Sequence, residues 1–209
     1  MMENQFKISS YCHVKQNKIS LNGKVLFSVK PEESTFLKQA YKALNVNYSK
    51  FFKMDKLSQL AFLAADVLFQ YENISEENQE NIALVMGNKA SSLDTDRKHQ
   101  DSIQDKTSYY PSPAVFVYTL PNIMLGEISI KYKLYSENSF FVFENFKTNY
   151  FYNYAQSLIV DNKADKILCG WVNVDDEDYE AFLYLVTPNG DLQHTEQQIN
   201  TLYNELWTL

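Results

Sequence analysis

Few side chains in this sequence of 209 residues are equipped for chemistry, and those few are scattered. The histidines are His13, His99 and His194; the cysteines are Cys12 and Cys169. Neither cysteine has another within metal-ligand spacing, and no Ser or Cys stands beside a histidine in a pattern that nucleophilic catalysis uses. Cys169 lies among Ile, Leu and Trp, and Cys12 in a similar run, so both read as core thiols. Asp94-Thr-Asp96 with His99 offers oxygen and nitrogen donors, but in a polar loop such a group is expected to be solvated surface. Asp175-Asp-Glu-Asp178 reads as a solvated turn between strands. Gly23, Gly87, Gly126, Gly170 and Gly190 are too dispersed for a glycine-rich phosphate loop, which needs clustered backbone N–H groups. No metal and no cofactor is expected.

Charge narrows the field further. Lys plus Arg number 19 against 26 Asp plus Glu, a net charge of −7, the wrong sign for a phosphate-backbone binder, so no nucleic-acid partner is expected. The opening Met-Met-Glu-Asn-Gln-Phe-Lys lacks a signal-peptide core, and no apolar run is long enough for a membrane span. A reducing, cytoplasmic setting is the expectation. Apolar residues make up 45%, an ordinary globular share, but 15 Tyr and 14 Phe are an excess that suits surfaces meeting partners or long apolar ligands.

The elements that must position these groups alternate between two periods. Strands are predicted over 6–14, 24–29, 81–87, 139–143, 166–174 and 180–186. Pro31-Glu-Glu-Ser-Thr35 opens a helical segment with acids in its first turn. Asp55 is a plausible N-cap for a helix through Phe69, with a stripe of Leu57, Leu60, Ala61, Ala64 and Leu68. The polar stretch 88–108 gives no period. Pro121-Asn122 leads into a helix over 123–132, and an aromatic helix follows over 147–160. On it Tyr150, Phe151 and Tyr154 share one side, with Tyr152 turned away. Thr195 starts a last helix, running to Trp207. Ser139-Phe-Phe-Val-Phe143, nearly all apolar, reads as a strand buried on both faces. Strands alternating with helices, without linker or repeat, give one α/β domain over 1–209.

Four segments in order resemble the β-ketoacyl synthase family. Ser112-Pro-Ala-Val-Phe-Val-Tyr-Thr-Leu-Pro-Asn122-Ile-Met-Leu-Gly126-Glu-Ile-Ser-Ile-Lys-Tyr132 is similar to the family's Pro-Asn segment and the helix behind it, and is the most specific match. Ile82-Ala-Leu-Val-Met-Gly87 with Ser91-Ser-Leu-Asp94 resembles its strand and loop. Asp55 to Phe69 resembles its alanine-rich helix, and Lys166-Ile-Leu-Cys-Gly170-Trp-Val its later strand. The resemblance covers roughly 50–185 and implies the amino-terminal half of a thiolase-like fold: a mixed sheet with helices on its faces.

Departures from the family define the functional expectation. The family's nucleophilic cysteine follows the strand here read as 139–143, and the count without gaps lands on Asn145. Phe143-Glu-Asn145-Phe146-Lys-Thr148 stands where the family has a cysteine between small residues. An amide is no nucleophile, and Phe146 crowds the place where backbone N–H groups would meet an oxyanion. The family's catalytic histidines lie in its other half. No condensing activity is therefore expected.

The resemblance implies instead a non-catalytic ketosynthase-like subunit similar to a chain length factor. It would pair with an active ketosynthase, or with a second copy, and shape the acyl pocket in fatty acid or polyketide biosynthesis of the aryl polyene type. Phe140, Phe141 and Val142 are expected at the dimer interface, and Phe143, Asn145, Phe146, Tyr150 and Tyr154 at the acyl pocket. Acyl carrier protein would be met only through the partner, since carriers are acidic and so is this chain. Two alternatives remain at this level: a self-associating binder of an apolar acyl ligand, and a malonyl-carrier decarboxylase using Asn145.

Overall fold

The computed structural model describes residues 6–30, 36–105, 107 and 110–205. Strands β1 (Lys7–Lys15), β2 (Lys18–Leu21) and β3 (Lys24–Ser28) form an antiparallel meander. The two hairpins turn on left-handed pairs, Gln16-Asn17 and Asn22-Gly23, which match the twist of the strands they join. Then come α1 (Phe36–Ala43), a single 3-10 turn at Ser49–Lys53, and α2 (Lys56–Tyr71). The helical opening expected at Pro31–Thr35 lies outside the described residues. The chain continues through β4 (Ile82–Asn88), α3 (Leu93–Ile103), α4 (Pro113–Val117), α5 (Ile123–Tyr132), β5 (Asn138–Val142) and α6 (Thr148–Val160). It closes with β6 (Lys166–Asp175), β7 (Asp178–Thr187), β8 (Leu192–Gln193) and α7 (Glu196–Tyr203). Trp207, expected in that last helix, lies outside the described residues.

Among the described residues the strands form one mixed sheet in the order β3-β2-β1-β7-β6-β4-β5, with β8 beside β1. β4 runs parallel to both β5 and β6, and β7 antiparallel to β6 and β1. Two apolar cores lie on its two faces. The first holds α2 and α5 against Cys12, Val14, Leu84, Leu168 and Leu183. The second holds α6 and α7 against Ile8, Val85, Cys169, Phe182 and Tyr184. β1, β4, β5, β6 and β7 each feed both cores because their side chains alternate.

α2 departs from the one-sided stripe expected of it. Every residue from Leu57 to Phe69 except Gln59 is buried, so it is a central helix packed on nearly all sides. Its N-cap is as read: the Asp55 carboxylate accepts the Ser58 N–H at 2.9 Å and also the Thr95 hydroxyl at 2.7 Å, tying α2 to α3. The buried Asp66 carboxylate midway along it is satisfied by Tyr132 and Gln70.

β5 also corrects the sequence reading. It is the sheet's edge, half-exposed along its length, not a strand buried on both faces. A short, nearly all-apolar run reads as buried, but here one flank has no strand beyond it among the described residues. Gly87 makes its approach to β4 possible: a Cβ there would sit 2.7 Å from the Phe141 carbonyl oxygen and 3.0 Å from Phe151.

Candidate functional site

β5 pairs with β4 through alternate residues. Leu84 N–H donates to Glu137, and Phe143 N–H to Asn88, each at 2.9 Å. The alternation turns the N–H and C=O groups of Asn138, Phe140 and Val142 outward along the free edge. Phe140 packs toward the first core and Phe141 toward the second, while Val142 is 54% exposed. Ile130 of α5, 63% exposed, lies on the helix whose Ser129 meets Asn138.

Beyond β5 the chain bends through Glu144 and Asn145 into α6. The Asn145 side chain is exposed. Phe146 turns inward, its ring 5.1 Å from Phe151, 6.0 Å from Trp171, 5.8 Å from Phe182 and 4.8 Å from Tyr203. Phe143, Tyr150 and Tyr154 cluster with Phe141, and Phe151 joins this group to Phe146. Tyr150 stands 4.8 Å from each of Phe141 and Phe143, and stacks on Tyr154 at 6.1 Å. The Tyr154 hydroxyl bonds Ser139 at 2.8 Å and donates to Glu137 at 3.1 Å. Of the five residues expected around an acyl pocket, three therefore pack together, Phe146 lies across Phe151 from them, and Asn145 touches solvent. Phe151 is fully buried in the second core, and Tyr152, expected to be turned away from it, also packs on that core, 5.1 Å from His194.

The potential reactive groups lie elsewhere. Cys12 and Cys169 are fully buried; burial pushes both thiols up, that of Cys169 to about 12. Such thiols are not nucleophiles near neutrality. His13 and His194 are buried, and burial pushes each imidazole down to about 4. His99 is on α3, packed on Phe116 at 5.4 Å, rather than in the loop expected from the polar stretch. Asp94 and Asp96 share that helix and are engaged locally, by Lys98 at 2.6 Å and by the Ser92 hydroxyl at 3.2 Å. At the acidic turn, Arg97 holds Asp175 at 2.6 Å, while Lys56 donates to the Asp176 carbonyl and lies 3.8 Å from Glu177. Lys56, Asp176 and Glu177 line a cleft of about 1010 Å³ together with Phe36 and Tyr179.

α4 is the feature that the sequence reading missed. Phe116, Val117 and Leu120 are 58%, 45% and 54% exposed within one short stretch. Its start was legible, since Ser112 accepts the Val115 N–H ahead of Pro113. What holds it is not local in sequence. Tyr118 at its end donates to the buried Glu127 at 3.0 Å, which Tyr48 reaches at 3.3 Å and Lys50 at 2.8 Å.

No protein-family model and no curated protein sequence matches the chain. Solved structures do. The ishigamide ketosynthase/chain length factor matches at TM-score 0.62 and 16% identity, over 87% of this chain and 62% of that one. The ketosynthase ApeO in complex with its chain length factor ApeC, from Xenorhabdus doucetiae, matches at 0.58 and 11%, over 95% of this chain and 90% of that one. The complex AntDE:AntF, a type II acyl-carrier protein with its ketosynthase bound to the hexaketide, matches at 0.59 and 12%, over 87% and 62%. The chain thus has the thiolase-like fold of ketosynthase and chain length factor structures. It spans 62% of the length of two of the matched chains and 90% of the third.

Proposed function

We propose that this chain is a non-catalytic ketosynthase-like subunit. It pairs with an active ketosynthase along β5 and shapes that partner's acyl pocket in fatty acid or polyketide biosynthesis of the aryl polyene type. The observation that carries this reading is one continuous stretch of chain. The free edge offered by Asn138, Phe140 and Val142 runs straight into an exposed Asn145 and an inward Phe146, where the resemblance puts a cysteine between small residues.

An antiparallel strand laid against β5 pairs three N–H and three C=O groups and covers Val142. The exposed apolar residues Phe116 of α4, Leu120 between α4 and α5, and Ile130 of α5 supply further area for burial. Phe143, Tyr150 and Tyr154 flank the same edge, and as bulky rings they limit the space left for a growing acyl chain. Contact with carrier protein runs through the ketosynthase.

The test is sedimentation of the purified chain mixed with an active ketosynthase from a polyketide system. A one-to-one complex is expected, and Val142→Lys, an exposed edge substitution, weakens it at least tenfold with the melting temperature unchanged. A chain that stays monomeric with such ketosynthases overturns the reading. A self-dimer broken by Val142→Lys instead supports the self-associating alternative.

A further inference from the structure

α7 is a short cover laid over the second core beside α6. Ile199 and Leu202 are its buried side chains, and Thr195 caps its start by accepting the Gln198 N–H. A buried imidazole lies under each end. His194, fully buried next to that cap, has its ring 5.1 Å from Tyr152 and 6.2 Å from Tyr184. Gln156 Nε2 donates to its Nδ1 at 3.1 Å. At the other end His13 of β1, 5% exposed, packs between Tyr11 at 5.9 Å and Phe182 at 4.7 Å and engages the main chain of Leu202 and Tyr203.

We infer that α7 is an acid-released cover: protonation of His194 and His13 frees the helix and bares the apolar face of Ile8, Tyr11, Phe182, Tyr184 and Val186, while the rest of the fold stays closed.

At His194 the argument is direct. Among the described residues Tyr152, Tyr184 and Gln156 pack on it, all neutral, and Glu196 of α7 is two residues along the chain. A proton on Nδ1 would face the Gln156 N–H, converting a bond into a repulsion, and the cation would sit in an apolar core. His13 has a more mixed setting. Lys15 opposes its protonation, and the main-chain partners on Leu202 and Tyr203 favour it. Glu180 and Glu205 line the same cleft of about 400 Å³. Glu180 already accepts Trp171 Nε1, the Tyr203 hydroxyl and Lys15 Nζ, and Glu205 is engaged by Tyr11. Loss of solvation outweighs these favourable contacts.

The sign follows from proton counting. Each imidazole is held at about 4 when α7 is closed and returns toward its ordinary 6.5 once exposed. The open state binds more protons, so closure weakens as pH falls below 6.5. Between pH 7 and pH 5 the opening equilibrium grows about 20-fold per histidine, and several hundred-fold where both act.

Hydrogen exchange read by mass spectrometry at pH 7 and pH 5, corrected for intrinsic rates, tests this. Protection over 196–203 is expected to fall at least 100-fold while α2 and β4–β6 keep theirs. The double variant His13→Asn with His194→Asn should have an opening of α7 that no longer depends on pH in this range. Unchanged protection of α7 at pH 5, or simultaneous loss in every element, overturns the inference, and the wild-type measurement decides it even if the double variant does not fold.

Discussion

The Phe143 N–H donates to the Asn88 carbonyl at 2.9 Å, and this bond is the last that β5 makes with the sheet. Two residues later Asn145 is in solvent, and one further on Phe146 has entered a nest of aromatic rings. The site where the resemblance places a nucleophile is therefore not merely changed in residue type; the space beside it is filled.

Asn145→Cys tests that statement. The thiol is expected to react with iodoacetamide, being exposed, yet to yield no condensation product with an acyl carrier, because Phe146 occupies the neighbouring space and His13 and His194 are buried away from solvent. Asn145→Ala should leave product length and turnover of a paired ketosynthase unchanged and stability within about 0.5 kcal/mol, as for other exposed side chains. Loss of malonyl-carrier decarboxylation in Asn145→Ala with pairing intact would favour the decarboxylase instead.

The two native thiols should be silent. Cys12 and Cys169 are fully buried with their acidity suppressed by burial, so Ellman's reagent at pH 8 is expected to label neither in the folded protein and both after denaturation. Rapid labelling of either in native buffer would contradict the packing described for β1 or β6.

Gly170→Ala is expected to be among the most damaging single changes. A Cβ there would lie 2.0 Å from the Phe182 carbonyl oxygen and 2.9 Å from the Leu183 Cα, so β6 and β7 would have to separate. A loss of about 3 kcal/mol, read from urea unfolding, is the expected scale for forced overpacking. Gly126→Ala is the control: nothing lies within 4 Å of the added atom, and in mid-helix the change should stabilise by about 0.5–1 kcal/mol.

Glu127→Gln probes how α4 is held. The carboxylate is 2% exposed and is engaged by Tyr118, Tyr48 and Lys50 together. An amide keeps the shape, but with its oxygen left to Tyr118 and Lys50 its NH2 faces the Tyr48 hydroxyl in place of an acceptor, and Lys50 loses its counter-charge. A cost of about 1–3 kcal/mol is expected, with faster proteolysis after Phe116 as the local readout.

Much of this architecture was legible because the elements carry strong local marks. The Asp55 and Thr195 caps, the Pro-Asn entry to α5 and the turn between β6 and β7 all fall where the residues place them. β2 was not legible: Lys18-Ile-Ser-Leu21 is short and polar-flanked, and the Gln16-Asn17 turn before it lacks glycine, although Asn22-Gly23 after it was an available hairpin signal. α3 was missed because Leu93–Ile103 is polar on most of its surface and buries only Thr95. Of the site, the β5–α6 bend and its aromatic spacing could be read from order along the chain. The inward packing of Phe146 could not, since Trp171, Phe182 and Tyr203 reach it from distant strands and from α7.

The sheet has two ends, and they are not alike. β3 ends it on one side with Lys24 exposed beside Leu26 and Ser28, a short strand with a charge at its start, whereas β5 ends it on the other with an uncharged strand. The proposed pairing through β5 would use up the uncharged margin and leave the charged one outward, so that growth would halt at two chains instead of continuing into a filament.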